Sequence, residues 1–427
     1  MGKKDSISRR EFLGRAAKVA AAAGAAGYSI APASAQGAND RLNIGVIGPG
    51  GRGYHMMGVI NGIAERCNVR IVAVADIYEG WRDRGVARAK EKSTRVKAYD
   101  HHLRMLEDKN VDAVFAATPE HSHVKHIVDA LEAGKDIYIE KPMIHRWREG
   151  LQVIEVNKRA GKIIQVGTQR RSVDIYEQAR QIVQSGAIGQ VTAVRSRWHR
   201  NSKANDPQWR YVIPEGASEQ NINWPEFLYN APKVPFDLHR YFQWRCYWDY
   251  SNGPAGDLMV HQLDAVNIVM GGEMPKSAVG FGNIYRFHEL ERSTPDTWGA
   301  VLEYPGREWA PDGYMVTYTC VFSNEQDQYG EIFYGTDGTI DMNDQVLRVI
   351  PERAEVADKL CEAKEVKSQT WGDQEHLANF FDCCRSRKEA NCDEYHGHYA
   401  AAAADMAVLS HLEGRRTEWD EKHQKVV

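Results

Sequence analysis

Short apolar runs alternate with amphipathic segments along the first 170 residues of the chain. The first run, Ile44–Ile47, is followed by apolar side chains at Met56, Val59, Ile60 and Ile63. A short apolar run next to glycine indicates a buried strand, and the i, i+3, i+4, i+7 spacing is typical of one helix face. This segment is therefore predicted to fold as a strand followed by a helix.

The same alternation continues downstream. Further apolar runs occupy Ile71–Ala75, Val111–Ala117, Asp136–Ile139 and Ile163–Val166, and a second helical face carries Val124, Ile127, Val128 and Leu131 and stops at Gly134. Repeated strand, helix and strand units with right-handed crossovers predict a parallel sheet covered by helices on both faces. Residues 36–168 are assigned to this α/β domain.

The pattern changes to period two in the second half of the chain. Tyr314, Val316, Tyr318, Cys320 and Phe322 alternate with partly polar neighbours, as in a half-buried strand. Residues 336–338, Thr-Asp-Gly, are typical of a hairpin turn. Residues 169–396 are predicted to form an α+β domain with a large, open, mostly antiparallel sheet. In the remaining residues, 397–427, an alanine-rich helix over 398–412 is expected to pack back on the first domain.

The turn after the first strand contains Gly48, Gly50 and Gly53 at G-x-G-x-x-G spacing, with Gly51 and Arg52 between them. In a dinucleotide site these glycines allow a tight turn, a close approach to pyrophosphate and close packing of helix on strand, and the helix N-terminus receives the anion. A glycine-rich turn without a ligand is the structural alternative. The glycines follow a strand and open a helix, which favours the dinucleotide site.

Asp76 follows the second apolar run and lies 23 residues beyond Gly53. A carboxylate there accepts hydrogen bonds from the adenosine ribose and repels a 2′-phosphate. The predicted cofactor is therefore NAD, with NADP less favoured.

Two later strands end in polar tripeptides, Thr118-Pro119-Glu120 and Glu140-Lys141-Pro142. Ligands of such sheets bind beyond the carboxyl ends of the strands. The predicted cofactor contacts there are Thr118, Pro119, His123, Glu140 and Lys141.

The first 35 residues have the order of features found in an export signal. Ser8-Arg9-Arg10-Glu11-Phe12-Leu13 is a twin-arginine pattern, and an alanine-rich segment leads to a predicted cleavage site near Ala35. A basic amphipathic N-terminus is the alternative. Because twin-arginine export carries folded proteins, we expect the Tat translocase as a partner, a periplasmic or secreted mature protein, and no stable membrane insertion.

Composition excludes other classes of partner. The net charge is −4 with both signs interspersed, so nothing indicates nucleic acid or a lipid surface. The seven cysteines lack zinc-type spacing, and we predict no metal site.

Taken together and in this order, the glycine loop, the T-P and E-K-P strand ends, residues 165–171 (QVGTQRR), the segment 248–272, the turn 335–338 and Gly397-His398 resemble the Gfo/Idh/MocA oxidoreductases. The resemblance covers nearly the whole mature chain. It implies a Rossmann NAD-binding domain followed by an α+β domain, with activity on sugars, cyclitols and related polyols. It also implies that the sheet serves homo-oligomerisation, as a dimer or tetramer.

The resemblance implies three catalytic residues: Lys141, Asp257 and His261. The E-K-P lysine of the family, here Lys141, hydrogen-bonds the hydroxyl that is oxidised. Asp257 and His261 match the family's D-x-x-x-H motif, and their i, i+4 spacing on a helix lets the carboxylate orient the imidazole, a base suited to neutral pH. A histidine that only caps local structure is the alternative. Asp264 is a second, less favoured acid.

Aromatic and charged residues near these motifs suggest a sugar-binding surface. Residues 241–250 hold six aromatic side chains interleaved with Arg245 and Asp249, which offers stacking faces and polar edges to a pyranose. Core packing is the alternative. The predicted substrate contacts are Arg171, Trp198, Arg245, Trp248, Asp257 and His261, with Arg197, His199 and Arg200 as further candidates for the same cleft.

Two functions remain open from the sequence. The first is an exported oxidoreductase that transfers hydride between a carbohydrate hydroxyl and a tightly bound NAD(P). The second is a glycosidase, lyase or epimerase of the same fold that oxidises a sugar hydroxyl transiently. The E-K-P lysine favours the first, because the glycosidases of this fold lack it. A sugar-binding module without catalysis would have no need of Lys141, Asp257 and His261 together.

Overall fold

The computed structural model describes residues 41–288, 291–343, 345–354 and 365–427, and within them the first part of the chain forms a six-stranded sheet. Its strands are β1 (Leu42–Ile47), β2 (Val69–Ala75), β3 (Lys97–Tyr99), β4 (Ala113–Ala116), β5 (Asp136–Ile139) and β6 (Ile164–Val166). All neighbours pair in parallel, in the order β3-β2-β1-β4-β5-β6. This is the predicted doubly covered α/β arrangement.

Helices connect these strands and bury the apolar faces read from the sequence. They are α1 (Gly51–Cys67), α2 (Glu79–Lys90), α3 (His102–Leu106), α4 (His123–Glu132) and α5 (Trp147–Ala160). On α1, Met56, Ile60 and Ile63 are almost fully buried, as the helical spacing predicts. The first turn of α1 contains no acidic residue, so its free backbone N–H groups can receive an anion.

The described residues of the second part form a ten-stranded sheet. Its strands are β7 (Val191–Asn201), β8 (Ser277–Asn283), β9 (Thr297–Tyr304), β10 (Tyr314–Val321), β11 (Ser323–Gly335), β12 (Gly338–Asn343), β13 (Val346–Pro351), β14 (Glu365–Lys367), β15 (Thr417–Asp420) and β16 (Lys425–Val426). The order is β14-β13-β12-β11-β7-β10-β9-β8-β15-β16, and the β7–β10 pair alone among the described pairs is parallel. The predicted hairpin joins β11 to β12. The fold class predicted from the sequence is confirmed.

The second part also contains helices, several of which contact this sheet. They are α6 (Asp174–Gln184), α7 (Trp224–Leu228), α8 (Leu238–Phe242), α9 (Val260–Met270), α10 (Asp373–Ser386) and α11 (Glu394–Glu413). The alanine-rich α11 begins three residues before the predicted start of the C-terminal segment and packs against α5, α9 and β8. The approach is close: a Cβ at Gly280 would lie 2.1 Å from the Ala407 carbonyl oxygen. Small residues on both elements therefore bring the last helix onto both parts of the chain.

The predicted export signal, residues 1–35, lies outside the described residues. None of the described helices has the length and apolar character that crossing a bilayer requires.

Candidate active site

A cavity of about 650 Å³ lies beyond the carboxyl ends of the parallel strands. Its wall contains the glycine loop and Asp76. The same wall contains Lys141, Arg245 and Asp257. The predicted dinucleotide loop and two of the three predicted catalytic residues therefore share one cavity, as expected at the strand ends of an open α/β sheet.

The glycine loop has the geometry that a pyrophosphate requires. Gly48 has φ +76°, and a Cβ at Gly53 would lie 2.0 Å from the Gly48 carbonyl oxygen. Any side chain at Gly53 would push α1 away from the loop. Gly48, Gly50, Gly51 and Arg52 line the cavity, whereas Gly53 supports the turn from behind.

Arg52 connects the glycine loop to the end of β5 and to the start of α10. Its Nε donates to Glu140 Oε1 at 2.8 Å, and its Nη2 donates to Asp373 Oδ1 at 2.9 Å. Glu140 is 4% exposed and Asp373 begins α10. The two predicted cofactor residues, Arg52 and Glu140, are thus held to each other at the cavity wall.

Asp76 lies at the end of β2 in the same wall and is 7% exposed. Its Oδ1 accepts a hydrogen bond from the Tyr78 amide at 2.7 Å. Burial raises the pKa of Asp76 to about 7. The side chain is therefore present where an adenosine ribose is expected, with a protonation state that changes near neutrality.

Thr118 and Pro119 line the cavity, but His123 does not. The His123 ring is buried, with Nδ1 2.6 Å from the Pro142 carbonyl oxygen and Nε2 2.8 Å from the Thr118 carbonyl oxygen. His123 thus joins the two strand-end loops from inside the protein, and its contact with the cofactor stays a prediction.

Lys141 and Asp257 form a buried ion pair on the cavity wall. Lys141 Nζ lies 2.8 Å from Asp257 Oδ1 and 2.6 Å from the Asp257 carbonyl oxygen. Asp257 sits in a π-helical turn, Ala255–Met259, which leads directly into α9. Such wide turns occur most often at functional sites.

The Asp257 carboxylate has two further donors, Arg245 Nε at 3.0 Å and Trp209 Nε1 at 3.2 Å. Burial acts to raise the pKa of Asp257, but Lys141 and Arg245 outweigh it and hold the pKa well below its usual value. The expectation that Asp257 orients His261 is wrong, since its described hydrogen bonds go to Lys141, Arg245 and Trp209. Its carboxylate instead fixes the Lys141 ammonium.

His261 lies on α9, is 7% exposed, and is not part of the cavity wall. Its ring is next to Trp198, with centroids 5.5 Å apart. Burial and the Lys141 charge lower the pKa of His261 well below its usual value, so the imidazole is neutral near pH 7. A neutral imidazole is the form that accepts a proton.

Of the other predicted substrate residues, Arg245 lines the cavity and stacks on Trp244, with its guanidinium carbon 4.1 Å from the ring centroid. Trp198 lies outside the wall, between His261 and Tyr329. Trp248 also lies outside it, packed near Trp298 and His411.

Arg171 points away from this cavity. It donates to the fully buried Asp264 at 2.7 Å and borders a separate cavity of about 340 Å³. Arg171, Trp198 and Trp248 therefore lie outside this cavity wall, and their assignment to the substrate cleft stays a prediction.

Residues that the sequence did not single out complete the wall. They are Gln208, Trp209 and Tyr211, from the irregular segment between β7 and α7, and they line the cavity together with Arg200, a candidate from the sequence. No periodicity marks this segment, although Trp209 stands out as a large aromatic residue among polar neighbours.

Glu120 supports the site from behind the wall. It is 1% exposed and accepts hydrogen bonds from Ser251 Oγ at 2.7 Å and from the Asn252 amide at 2.8 Å. A Cβ at Gly256 would lie 2.5 Å from its Oε2. Glu120 therefore ties the end of β4 to the turn that carries Asp257.

One cluster of potential metal ligands occurs among the described residues, formed by His101, His102 and Glu226. Its groups already bond to protein: Glu226 pairs with His101 Nε2 at 3.2 Å, and Asp129 pairs with His102 Nε2 at 2.6 Å. The Leu103 amide also donates to His101 Nδ1.

Comparison with known proteins identifies the family. The model of the Gfo/Idh/MocA oxidoreductases described as an NAD-binding Rossmann fold matches residues 42–168. Two models of the family's C-terminal alpha/beta domain match residues 228–418 and 166–279. The matches together span most of the described chain.

Among similar proteins, inositol 2-dehydrogenase of Salmonella paratyphi B is 31% identical over 184 residues, which are 43% of this chain and 52% of that protein. This chain thus spans about half the length of the curated relatives that it matches.

Solved structures show the same fold. Levoglucosan dehydrogenase in complex with NADH and levoglucosan has a TM-score of 0.67 at 16% identity, covering 88% of this chain and 99% of that one. The WlbA dehydrogenase of Bordetella pertussis, in complex with NADH and UDP-GlcNAcA, has a TM-score of 0.65 at 18% identity, covering 89% and 99%. With its fold, its strand-end motifs and these matches taken together, the chain belongs to the Gfo/Idh/MocA oxidoreductase family, and its first domain is the NAD-binding Rossmann domain of that family.

Proposed function

We propose that this protein transfers hydride between a hydroxyl of a sugar, glycoside or cyclitol and a tightly bound NAD, with NADP less favoured. The observation that carries the proposal is the Lys141–Asp257 pair, 2.8 Å apart, on the wall of the cavity that also contains the glycine loop. The names of the similar proteins, inositol and levoglucosan dehydrogenases, support the class of substrate.

The residues fit the cofactor. The glycine loop leaves room for a pyrophosphate because its glycines carry no side chains. In the proposed complex Gly48, Gly50, Gly51 and Arg52 hold the pyrophosphate and Asp76 the adenosine ribose. When bound, NAD supplies the acceptor for the hydride.

Lys141 donates a hydrogen bond to the substrate hydroxyl and stabilises the negative charge that develops on its oxygen. Asp257 holds the ammonium in position, with Arg245 and Trp209 fixing the carboxylate. The neutral imidazole of His261 takes the hydroxyl proton and returns it in the reverse direction.

The glycosidase, lyase or epimerase alternative is not proposed. The relatives named above are dehydrogenases, and no feature of the described site favours bond cleavage over hydride transfer.

The test is reduction of the bound nucleotide. The purified protein is mixed with myo-inositol, levoglucosan, common hexoses and hexuronates, and NADH is followed by its near-ultraviolet absorbance. We expect at least one of these compounds to reduce the bound NAD, and the Lys141→Met variant to react with it much more slowly. Failure of every compound to reduce the nucleotide would contradict the proposed class of reaction.

We further propose export by the Tat translocase to the periplasm or beyond, on the twin-arginine pattern of residues 8–13. A protein exported in the folded state carries its cofactor with it, which is why tight binding of NAD belongs to the same proposal. N-terminal sequencing of the protein from a periplasmic fraction should begin after Ala35. Replacement of Arg9 and Arg10 by lysine should retain the precursor in the cytoplasm.

We also propose a homo-oligomer formed through the open face of the ten-stranded sheet. Val279, Phe281, Val301 and Met315 lie on neighbouring strands of that face and are 45 to 64% exposed. An apolar patch of this kind is typical of a protein interface. Light scattering should give a dimer or tetramer, and Phe281→Glu should reduce its mass; a monomeric wild type would contradict the proposal.

A further inference from the structure

Arg200 lines the cavity wall but has no role in the proposed reaction. It lies at the end of β7, is half-buried, and lines the cavity with Arg245 and Asp257. Its guanidinium carbon is 5.3 Å from the centroid of Trp198. With the Gln208 amide oxygen facing it, Arg200 Nη1 donates to that oxygen at 2.8 Å.

Arg200 has no acidic partner in the described part of the chain. The two other cations beside Asp257 do: Lys141 and Arg245 both bond to it, at 2.8 and 3.0 Å. Within the described residues no carboxylate oxygen lies within 4.0 Å of the Arg200 guanidinium. A guanidinium in a cavity wall usually meets a carboxylate or a phosphate, because its planar donors match those groups.

Three cations surround Asp257, and Arg200 is the one of them without an ion pair among the described residues. The cations are Lys141, Arg200 and Arg245, and the acids are Asp257 on the wall and Glu120 behind it. His261 adds nothing, because its imidazole is neutral.

A single guanidinium without an ion pair matches a carboxylate, because its planar donors fit the two oxygens of that group. Tyr211 also lines the cavity, is 49% exposed, and offers an aromatic face on which a sugar ring can stack. The wall therefore combines a stacking surface, an alkoxide-stabilising lysine and a guanidinium that the described residues leave without an ion pair.

Resting on the proposed function, we propose that the substrate carries a carboxylate, as hexuronic and aldonic acids do, and that Arg200 binds it. The guanidinium donates to the carboxylate while Lys141 donates to the hydroxyl that is oxidised. Neutral sugars of the same shape lack the group that Arg200 recognises and bind more weakly.

The test uses the purified protein with its nucleotide. Binding of D-glucuronate and D-galacturonate is measured by titration calorimetry against D-glucose, D-galactose and the methyl ester of glucuronate. The same titrations are repeated with Arg200→Gln and Arg200→Lys. Arg210→Gln is the matched control, because Arg210 is exposed in the same segment and lies outside the cavity wall.

We expect the uronates to bind more tightly than their neutral counterparts. A hydrogen bond between charged groups corresponds to about 10- to 150-fold in affinity, which is the loss expected for uronates in Arg200→Gln. Neutral sugars should be unaffected in that variant, Arg200→Lys should recover part of the uronate affinity, and Arg210→Gln should behave as wild type. Equal binding of uronates and neutral sugars, or unchanged uronate affinity in Arg200→Gln, would overturn the assignment.

Reduction of the bound NAD is recorded in the same samples and separates the two proposals. If neutral sugars reduce the nucleotide and uronates do not bind, the carboxylate assignment fails and the hydride transfer stands. If uronates bind through Arg200 but reduce nothing, the proposed reaction fails and the carboxylate site stands.

Discussion

Replacing Lys141 by methionine removes the ammonium group while keeping an unbranched side chain of similar length. Lys141 Nζ lies 2.8 Å from Asp257 Oδ1 at the end of β5, in the position proposed to stabilise the alkoxide. Removing one preorganised donor of this kind typically lowers the rate of the chemical step by about 10²- to 10³-fold, or about 2.7 to 4 kcal/mol. We expect a loss of this size in the rate of hydride transfer.

The same change should leave the fold and the cofactor site intact. Removing one partner of a buried ion pair costs about 3 to 5 kcal/mol when the remaining charge has no other partner. Here Asp257 keeps Arg245 Nε at 3.0 Å and Trp209 Nε1 at 3.2 Å. The free energy of unfolding should therefore fall by only about 1 to 2 kcal/mol.

Rapid mixing with the best substrate of the wild type measures the rate as bound NADH forms. Lys97→Met is the control, because Lys97 Nζ bonds to Asp108 at 2.8 Å and Asp108 keeps the Tyr99 hydroxyl as a donor. That variant loses a lysine–aspartate pair far from the cavity and should react like wild type. If Lys141→Met also reacts like wild type while retaining its nucleotide, the role given to the lysine is refuted.

Three further predictions concern the base and the cofactor. His261→Asn should lower turnover by about 10²- to 10⁴-fold and leave the NAD content unchanged; normal turnover would show that another group takes the proton. Asp76→Ala should relax the preference for NAD over NADP, and equal affinity of the wild type for both would contradict the role of the carboxylate. Because burial raises the pKa of Asp76 from 3.8 to about 7, the affinity of nucleotide-free protein for NAD should rise as the pH passes through 7, and Asp76→Asn should flatten that rise. Between pH 3.8 and about 7 the folded protein binds more protons than the unfolded chain. The contribution of Asp76 to the free energy of unfolding therefore falls as the pH rises through this range.

Local periodicity was enough to predict the fold. The apolar spacing of Met56, Ile60 and Ile63 corresponds to the buried face of α1, and the Thr336–Gly338 turn joins β11 to β12. These features depend on neighbours in sequence, which is why they can be read from a single chain. The parallel pairing of β7 with β10 joins distant segments and leaves no such signal.

The candidate site was predictable only where a motif fixes the backbone. Gly48, Asp76 and Lys141 follow strands directly, so their places at the strand ends are set by the sheet. Trp248 and Arg171 lie near motifs in sequence, but the direction of a side chain depends on packing that the sequence does not reveal. Trp209 reaches Asp257 from an irregular segment for the same reason.

The sequence spacing of Asp257 and His261 also did not predict the partners of Asp257. An i, i+4 pair on a regular helix places two side chains together. Asp257 instead lies in a π-helical turn. Lys141 and Arg245 approach it there from other elements, form ion pairs with its carboxylate and occupy its hydrogen-bond acceptors. Two cations outweigh one neutral histidine as partners of a buried carboxylate.

The nucleotide content of the purified protein tests the central claim most directly. Freshly purified mature protein is denatured, and the supernatant is assayed for NAD and NADH before and after incubation with substrate. The account predicts close to one nucleotide per chain, slow exchange with added NAD, and conversion of bound NAD to NADH by the substrate. Substoichiometric nucleotide together with rapid exchange of added NAD would contradict an exported oxidoreductase that carries its own cofactor.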